Sequence, residues 1–290
     1  MASPAQQPRP LHNPHVRLVP ASQFSIAELT HAYNQSRVDY LVPMPMTEAR
    51  LLSYVKAYDI DMESSRVAID GREILGLAML GVRPGHTWVT RLGVLPACRR
   101  AGIGEMLIQA LLDETRKLDR TDSILEVIQG NSPAHSLFRK MGFQDTRELL
   151  VLRRLPGSME EDLSGQATWL EDEGIFGFLR RHPVRPAWTN EIDTFLHTRD
   201  GQALEVNLGQ DGWGWLVFRY HESLLSHFVF RTEQGEASLV ARALIAHLYA
   251  RFPHADTYIE NIPADDEHFP ALTHLGFVDV FRRKEMEWKG

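Results

Sequence analysis

Val94 Leu95 Pro96 Ala97 Cys98 Arg99 Arg100 Ala101 Gly102 Ile103 Gly104 ends an apolar strand, turns through a basic, glycine-containing loop and enters a helix read as Glu105 to Leu118. That order of parts makes an anion cradle. The first turn of a helix leaves backbone N–H groups without partners and carries the positive end of the helix dipole, so a diphosphate placed there is bonded by main chain alone. Glycine at 102 and 104 removes the Cβ atoms that would hold a phosphate away, and tolerates positive φ.

Several anions use such loops. A nucleoside-triphosphate loop needs GxxxxGK followed by Ser or Thr, which this chain lacks. A dinucleotide fold needs GxGxxG after an opening βαβ unit, but the third glycine position is Leu107. The run Arg99 to Gly104 instead fits R/QxxGxG. One helix later come Leu125 Glu126 Val127, Asn131, Ala134, Leu137, Phe138 and Gly142 Phe143, which fit LEVxxxNxxAxxLYxxxGF apart from Phe138. Together and in this order, the two blocks resemble the GNAT superfamily of N-acyltransferases.

Composition sets the frame. A chain of 290 residues with 43% hydrophobic content is long enough for two domains of ordinary size. The single cysteine, Cys98, excludes an internal disulfide framework and a thiolate zinc cluster, and suits a cytoplasmic protein. No apolar run has the length of a membrane span, and the first fifteen residues, rich in Pro, Gln and Asn, read as a frayed tail without signal-peptide order. Through Leu155 there are 19 Lys and Arg against 16 Asp and Glu; from Pro156 onward the figures are 12 and 22. The half with the cradle is the less acidic one, as an anionic coenzyme requires. No basic stripe interleaved with aromatics points to nucleic acid, and no HxH or HExxH pattern points to a metal.

Coarse elements follow from spacing. A strand at Val16 to Val19 precedes a helix from Ser25 to Arg37 capped by Ser25, and Thr47 caps a second helix from Glu48 to Tyr58. Arg66 to Ile69, the Asp70 Gly71 turn and Ile74 to Val82 read as a hairpin feeding the strand Thr87 to Leu95. Ile124 to Val127 and Glu148 to Arg154 close the half. The expected division is a tail at 1–15, a first domain at 16–155, a linker at 156–166 and a second domain at 167–290. The second domain repeats the first: a shift of 134 residues sets Gly276 Phe277 on Gly142 Phe143, Glu260 on Glu126 and the helix Val240 to Phe252 on Met106 to Leu118. Under that shift Arg99, Gly102 and Gly104 fall on Glu233, Glu236 and Ser238, Asn131 on Asp265 and Phe138 on Leu272. Carboxylates there would repel a diphosphate, so the second half reads as a degenerate copy.

The resemblance implies an α/β chain of two tandem GNAT-fold domains, each a mixed, mostly antiparallel sheet flanked by helices. It implies acetyl-CoA as co-substrate, no metal, and acetyl transfer to a primary amine of a small molecule or peptide. In the family the acetyl carbonyl and pantetheine amides bond the strand before the loop, here Leu92, Gly93 and Val94. Arg99, Arg100, Ala101, Gly102, Ile103 and Gly104 would then hold the diphosphate, with Arg139 as a further phosphate candidate, and Asn131 and Phe138 the pantetheine arm. Glu126, a carboxylate interrupting an apolar strand, is the candidate general base, acting directly or through water. Phe138 stands where the family often has a proton-donating Tyr; the thiolate then leaves through another donor such as water, or unassisted, which a thiol of pKa about 8.5 tolerates. His135 shares that helix face. The acceptor should lie near Tyr33, Tyr40, Met44 and Met46. A coenzyme-binding scaffold without turnover is the alternative, and the sequence leaves a homodimer open.

Overall fold

The computed structural model describes residues 15–157, 159, 163–171 and 173–290. The expected tail at 1–15 lies outside the described residues except for His15, as does part of the expected linker. The chain divides into two compact units, the first formed by residues up to Glu126, Asn131–Asp145 and Met286–Gly290, the second by Val127–Gly130 and Thr146–Glu285.

In the first unit β1 (Val16–Pro20), β2 (Ile60–Asp70), β3 (Glu73–Arg83) and β4 (His86–Val94) are antiparallel neighbours in chain order. The Asp70 Gly71 turn is the expected hairpin tip, with Gly71 at φ +59°. Between β1 and β2 lie α1 (Ile26–Gln35) and α2 (Glu48–Ala57). Ser25 and Glu28 form a reciprocal capping box on α1, and Thr47 Oγ1 accepts from the Arg50 N–H on α2. Strand β2 begins earlier than its apolar pattern indicates. Its opening residues are polar and irregular, with a register shift between Asp61 and Arg66, so alternation carries no signal there.

After β4 come α3 (Ile103–Lys117), β5 (Asp122–Ile128) and α4 (Ser132–Lys140). Helix α3 buries Leu107, Ile108, Leu111 and Leu112 along one stripe, while Thr115 Oγ1 meets Thr87 Oγ1 at 2.8 Å in the interior. Strand β5 is parallel to β4, as a helical crossover demands.

In the second unit the order along the sheet is β6 (Gln144–Arg154), β11 (Asp256–Pro263), β10 (Leu224–Gly235), β9 (Gly212–His221), β8 (Gly201–Asn207) and β7 (Gln166–Leu170). Strands β10 and β11 are parallel and the other neighbours antiparallel. Helix α7 (Ala237–Arg251) packs in a core with Leu216, Phe218, Phe230 and Ile259. It buries residues on nearly every side, including Val240, Leu244 and Leu248. A separate cluster joins α5 (Glu173–Arg181) and α6 (Ile192–Thr198) to Trp215 and Val217, with Phe178 stacked on the Trp215 ring at 4.8 Å. A short α8 (Phe269–His274) leads to β12 (Val278–Lys289).

The closing strands do not stay with the half that precedes them in sequence. Strand β6 passes into the second unit at Thr146, and β12 passes into the first at Met286. There Trp288 lies against Gly142, where a Cβ would sit 3.2 Å from the indole, and under the Arg116 guanidinium. The Gly290 N–H donates to the Thr121 carbonyl.

Candidate active site

The candidate site is the β4–α3 junction. Strand β4 contains a bulge: Leu77 pairs with Gly93 but Met79 with Thr90, so Arg91 and Leu92 stand opposite Ala78 alone. Arg91 takes φ +53°, which turns the following backbone away from the β3 ladder. The β4–β5 ladder is short, running from His86↔Asp122 to Trp88↔Ile124, and the strands part beyond it. Both features act on Leu92, Gly93 and Val94, the residues expected to meet a thioester. Gly93 itself has no room for a side chain, because a Cβ would lie 2.1 Å from Ser36 Oγ.

From Leu95 to Gly102 the chain runs through a 3-10 turn, Pro96–Cys98, and then through Arg100 at φ +60° and Gly102 at φ +81°. Gly102 is the N-cap of α3 and supplies no side-chain cap, so the N–H groups of the first turn face no side chain of their own cap. A Cβ at Gly104 would lie 3.1 Å from Leu137 Cδ2. Of the two glycines expected to form the cradle, one supplies a left-handed backbone and the other a close approach to α4.

Arg99 is placed differently from a free phosphate ligand. Its guanidinium makes a two-pronged pair with Asp39 at 2.6 and 2.7 Å, and also donates to the Ser36 and Val94 carbonyls. The hydrogen bonds to Arg99 hold the Asp39 carboxyl below its ordinary range. Arg99 therefore ties the loop to the end of α1. Arg100 is exposed on the loop, and Ala101 and Ile103 complete it, Ile103 being buried. Asn131 caps α4 by accepting from the Ala134 N–H at 3.3 Å. Phe138 is buried edge-to-face with Phe143. His135 meets Asp145 at 2.8 Å, and exposed Arg139 lies 3.7 Å from the same carboxylate.

Glu126 sits in β5, and its Oε2 accepts from Trp88 Nε1 at 2.7 Å. A cluster that sequence reasoning missed continues from there. The Trp88 ring lies 6.0 Å from that of Tyr54, whose hydroxyl meets Thr90 Oγ1 at 2.7 Å and whose burial pushes its pKa well above the usual tyrosine range. The Arg91 guanidinium lies 4.1 Å from the Tyr54 ring and donates to the Tyr33 hydroxyl at 3.1 Å. A charged residue in the otherwise uncharged run Thr87 to Val94 was the available signal for Arg91.

Of the residues expected at the acceptor site, Tyr33 is fully buried, while Tyr40, Met44 and Met46 are half-buried. Asn34 fastens their loop by exchanging two 2.9 Å bonds with the Met46 backbone. Among the described residues no group of His, Cys, Asp and Glu is arranged to hold a metal, and no helix is long and apolar enough to cross a membrane.

The second unit departs from the first at the corresponding junction. Adding 134 to the bounds of α3 gives 237 and 251, the bounds of α7. Ahead of the helix the shift fails. Strand β10 runs to Gly235, and Glu236 alone separates it from α7. Glu233, aligned with Arg99 by the shift, is a strand residue that accepts from Trp215 Nε1 at 3.0 Å. The cradle is absent as a loop, beyond the substitutions seen in the sequence. Strands β10 and β11 pair only at Leu224↔Asp256 and Leu225↔Thr257, and the 3-10 turn Trp188–Asn190 lies against both. Asn190 Nδ2 donates to the Glu260 carbonyl at 3.1 Å, and Asn261 Nδ2 to Thr189 Oγ1 at 3.1 Å.

Comparison with known proteins places a family match in the first half of the chain. Residues 30–143 match the acetyltransferase (GNAT) family model. An N-alpha-acetyltransferase of Sulfurisphaera tokodaii is 38% identical over 69 residues, which are 23% of this chain and 40% of the relative, so the likeness spans well under two thirds of that protein. A GCN5-related N-acetyltransferase from Sphaerobacter thermophilus shares the fold at TM-score 0.70 and 12% identity, covering 96% of each chain. A tandem GNAT protein from the clavulanic acid biosynthesis pathway does so at TM-score 0.64 and 15% identity, covering 94% of this chain and 98% of its own. Residues 30–143 of the chain are therefore similar to the GNAT family of acetyltransferases, and 94% of the chain shares the fold of a tandem GNAT protein.

Proposed function

We propose that the first unit binds acetyl-CoA and transfers its acetyl group to a primary amine of a small molecule or peptide, and that the second unit is a degenerate copy without a coenzyme site of its own. The observation that carries this reading is the β4–α3 junction: a bulged strand, then a loop with two left-handed residues, then a helix whose first turn its own N-cap leaves free. The coenzyme supplies a thioester carbonyl and a thiol leaving group. Main-chain amides of Ile103 and its successors, with Arg100, hold its diphosphate. The backbone of Leu92 to Val94 offers fixed donors to the carbonyl oxygen as charge develops on it. Glu126, oriented by the Trp88 indole, takes the proton from the acceptor ammonium, directly or through water. Phe138 has no proton to give, so the thiolate leaves unassisted or with water.

The test is incubation of amine pools with labelled acetyl-CoA, read by mass spectrometry, beside a titration of coenzyme stoichiometry. One coenzyme per chain and a labelled amide product are expected, with kcat reduced about 100-fold in Glu126→Gln at neutral pH. Tight binding without any product would establish a non-catalytic coenzyme-binding protein instead. Full activity in Glu126→Gln would remove that residue from the mechanism.

A further inference from the structure

Arg37, just beyond α1, is a cation without a counter-ion among the described residues. Its Nη2 donates to the Leu92 carbonyl on the β4 bulge at 3.2 Å, and its guanidinium carbon lies 4.8 Å from the Tyr33 ring and 4.2 Å from the Tyr40 ring. Its Nε is buried and meets no acceptor. Two other arginines of the first unit that are held out of water do have carboxylates: half-buried Arg66 pairs with Glu114 at 2.5 Å and buried Arg83 with Asp59 at 2.7 Å. A guanidinium partly stripped of water, with one carbonyl and two ring faces for company, is incompletely compensated; an anion brought to it gains a charge-assisted, forked contact.

Its position gives that gap a meaning. From Arg37 a continuous series of contacts leads through Tyr33, Arg91, Tyr54 and Trp88 to Glu126. The series has a carboxylate at one end, a guanidinium at the other and the buried rings of Tyr33, Tyr54 and Trp88 between. An ammonium is matched to the first, an anion to the second.

We infer that Arg37 is a specificity residue that recognises a carboxylate on the acceptor, so that the preferred substrate is an amine bearing a carboxylate, its ammonium toward Glu126. The inference rests on the acetyl-transfer reading above. It narrows the acceptor from amines in general to amino-acid-like compounds, including short peptides with a free carboxylate. Neutral amines and amides of the same acids are poor acceptors because they leave the guanidinium without its partner.

The experiment measures kcat/KM for α- and ω-amino acids of increasing chain length and for their primary amides, in the full-length protein. The best acid should exceed its own amide by about tenfold or more. In Arg37→Gln the acid-to-amide ratio should fall to near one, and in Arg37→Lys, which keeps the charge but loses the fork, it should lie between. Because each ratio is taken within one protein sample, it is independent of the fraction folded, and thermal stabilisation by acetyl-CoA reports folding of each variant separately. Equal use of acids and amides by the unmodified protein, or an unchanged ratio in Arg37→Gln, overturns the inference while leaving acetyl transfer intact. No transfer to any member of the panel, with acetyl-CoA still bound, overturns the acetyltransferase reading and this inference with it.

Discussion

Helices α3 and α7 have the same length and stand at the same spacing before their following strands, yet only α3 is preceded by a loop that could serve as a cradle. Both have the positive dipole end that attracts an anion. In the first unit Leu95 to Gly102 separate strand from helix and carry left-handed residues at Arg100 and Gly102. In the second, β10 runs almost into α7 and the joining residue is Glu236, a carboxylate. The proposed anion site is thus a property of the junction, made by chain length, backbone hand and local charge, and the helix supplies only the common part. The gap between parallel strands teaches the same lesson. Strands β10 and β11 part as β4 and β5 do, but there the protein has its own buried insert, Trp188–Asn190, hydrogen-bonded to the β11 backbone.

The sharpest way to break this comparison is to make the first junction acidic like the second. In Gly102→Glu with Gly104→Glu, thermal stabilisation by acetyl-CoA should vanish, because a side chain at φ +81° distorts the turn and two carboxylates repel the diphosphate. Equal stabilisation of this variant would refute the cradle. A second test removes the insert: Trp188→Ala should cost about 3–5 kcal/mol of stability by leaving a cavity where the ring is fully buried, yet preserve the coenzyme response. Denaturant unfolding with and without acetyl-CoA reads both quantities. Loss of the coenzyme response alongside stability would end the claim that the insert serves the second unit alone.

The smallest effect separates the units by pH. Burial, and then the neighbouring Arg219, pull the pKa of His227 in β10 down to about 3 from 6.5. Between those values the unfolded chain binds the proton and the folded one does not, so stability present above about 6.5 is lost as pH falls toward 3. Unfolding followed from pH 7 to pH 4 should show this loss, and His227→Gln should flatten the slope. An unchanged slope would place the acid sensitivity elsewhere.

Much of this was legible in the residues. The cap at Ser25, the hairpin at Asp70 Gly71 and the glycines of the cradle have local causes, and local causes leave local patterns. The repeat was legible from α3 onward, where spacing is kept, and misleading before it, where a fixed shift runs a loop onto a strand. Long-range partners left no such trace. That Arg99 pairs with Asp39, that Ser36 rather than a ligand sets the need for Gly93, and that Arg37, Arg91, Tyr54 and Trp88 gather near Glu126 all depend on the tertiary fold. Arg37 could not be told from a surface arginine by its neighbours in the chain.

The first unit is completed by Met286–Gly290, with Trp288 against Gly142 and Arg116. A ribosome that has released every residue of the cradle has therefore not yet made a finished first unit, which waits for a segment more than a hundred residues downstream. Dividing the gene at its midpoint would yield two fragments, neither holding all the chain its own sheet requires. The two units are in this way joined by exchange of a strand, and neither can be discarded without cutting into the other.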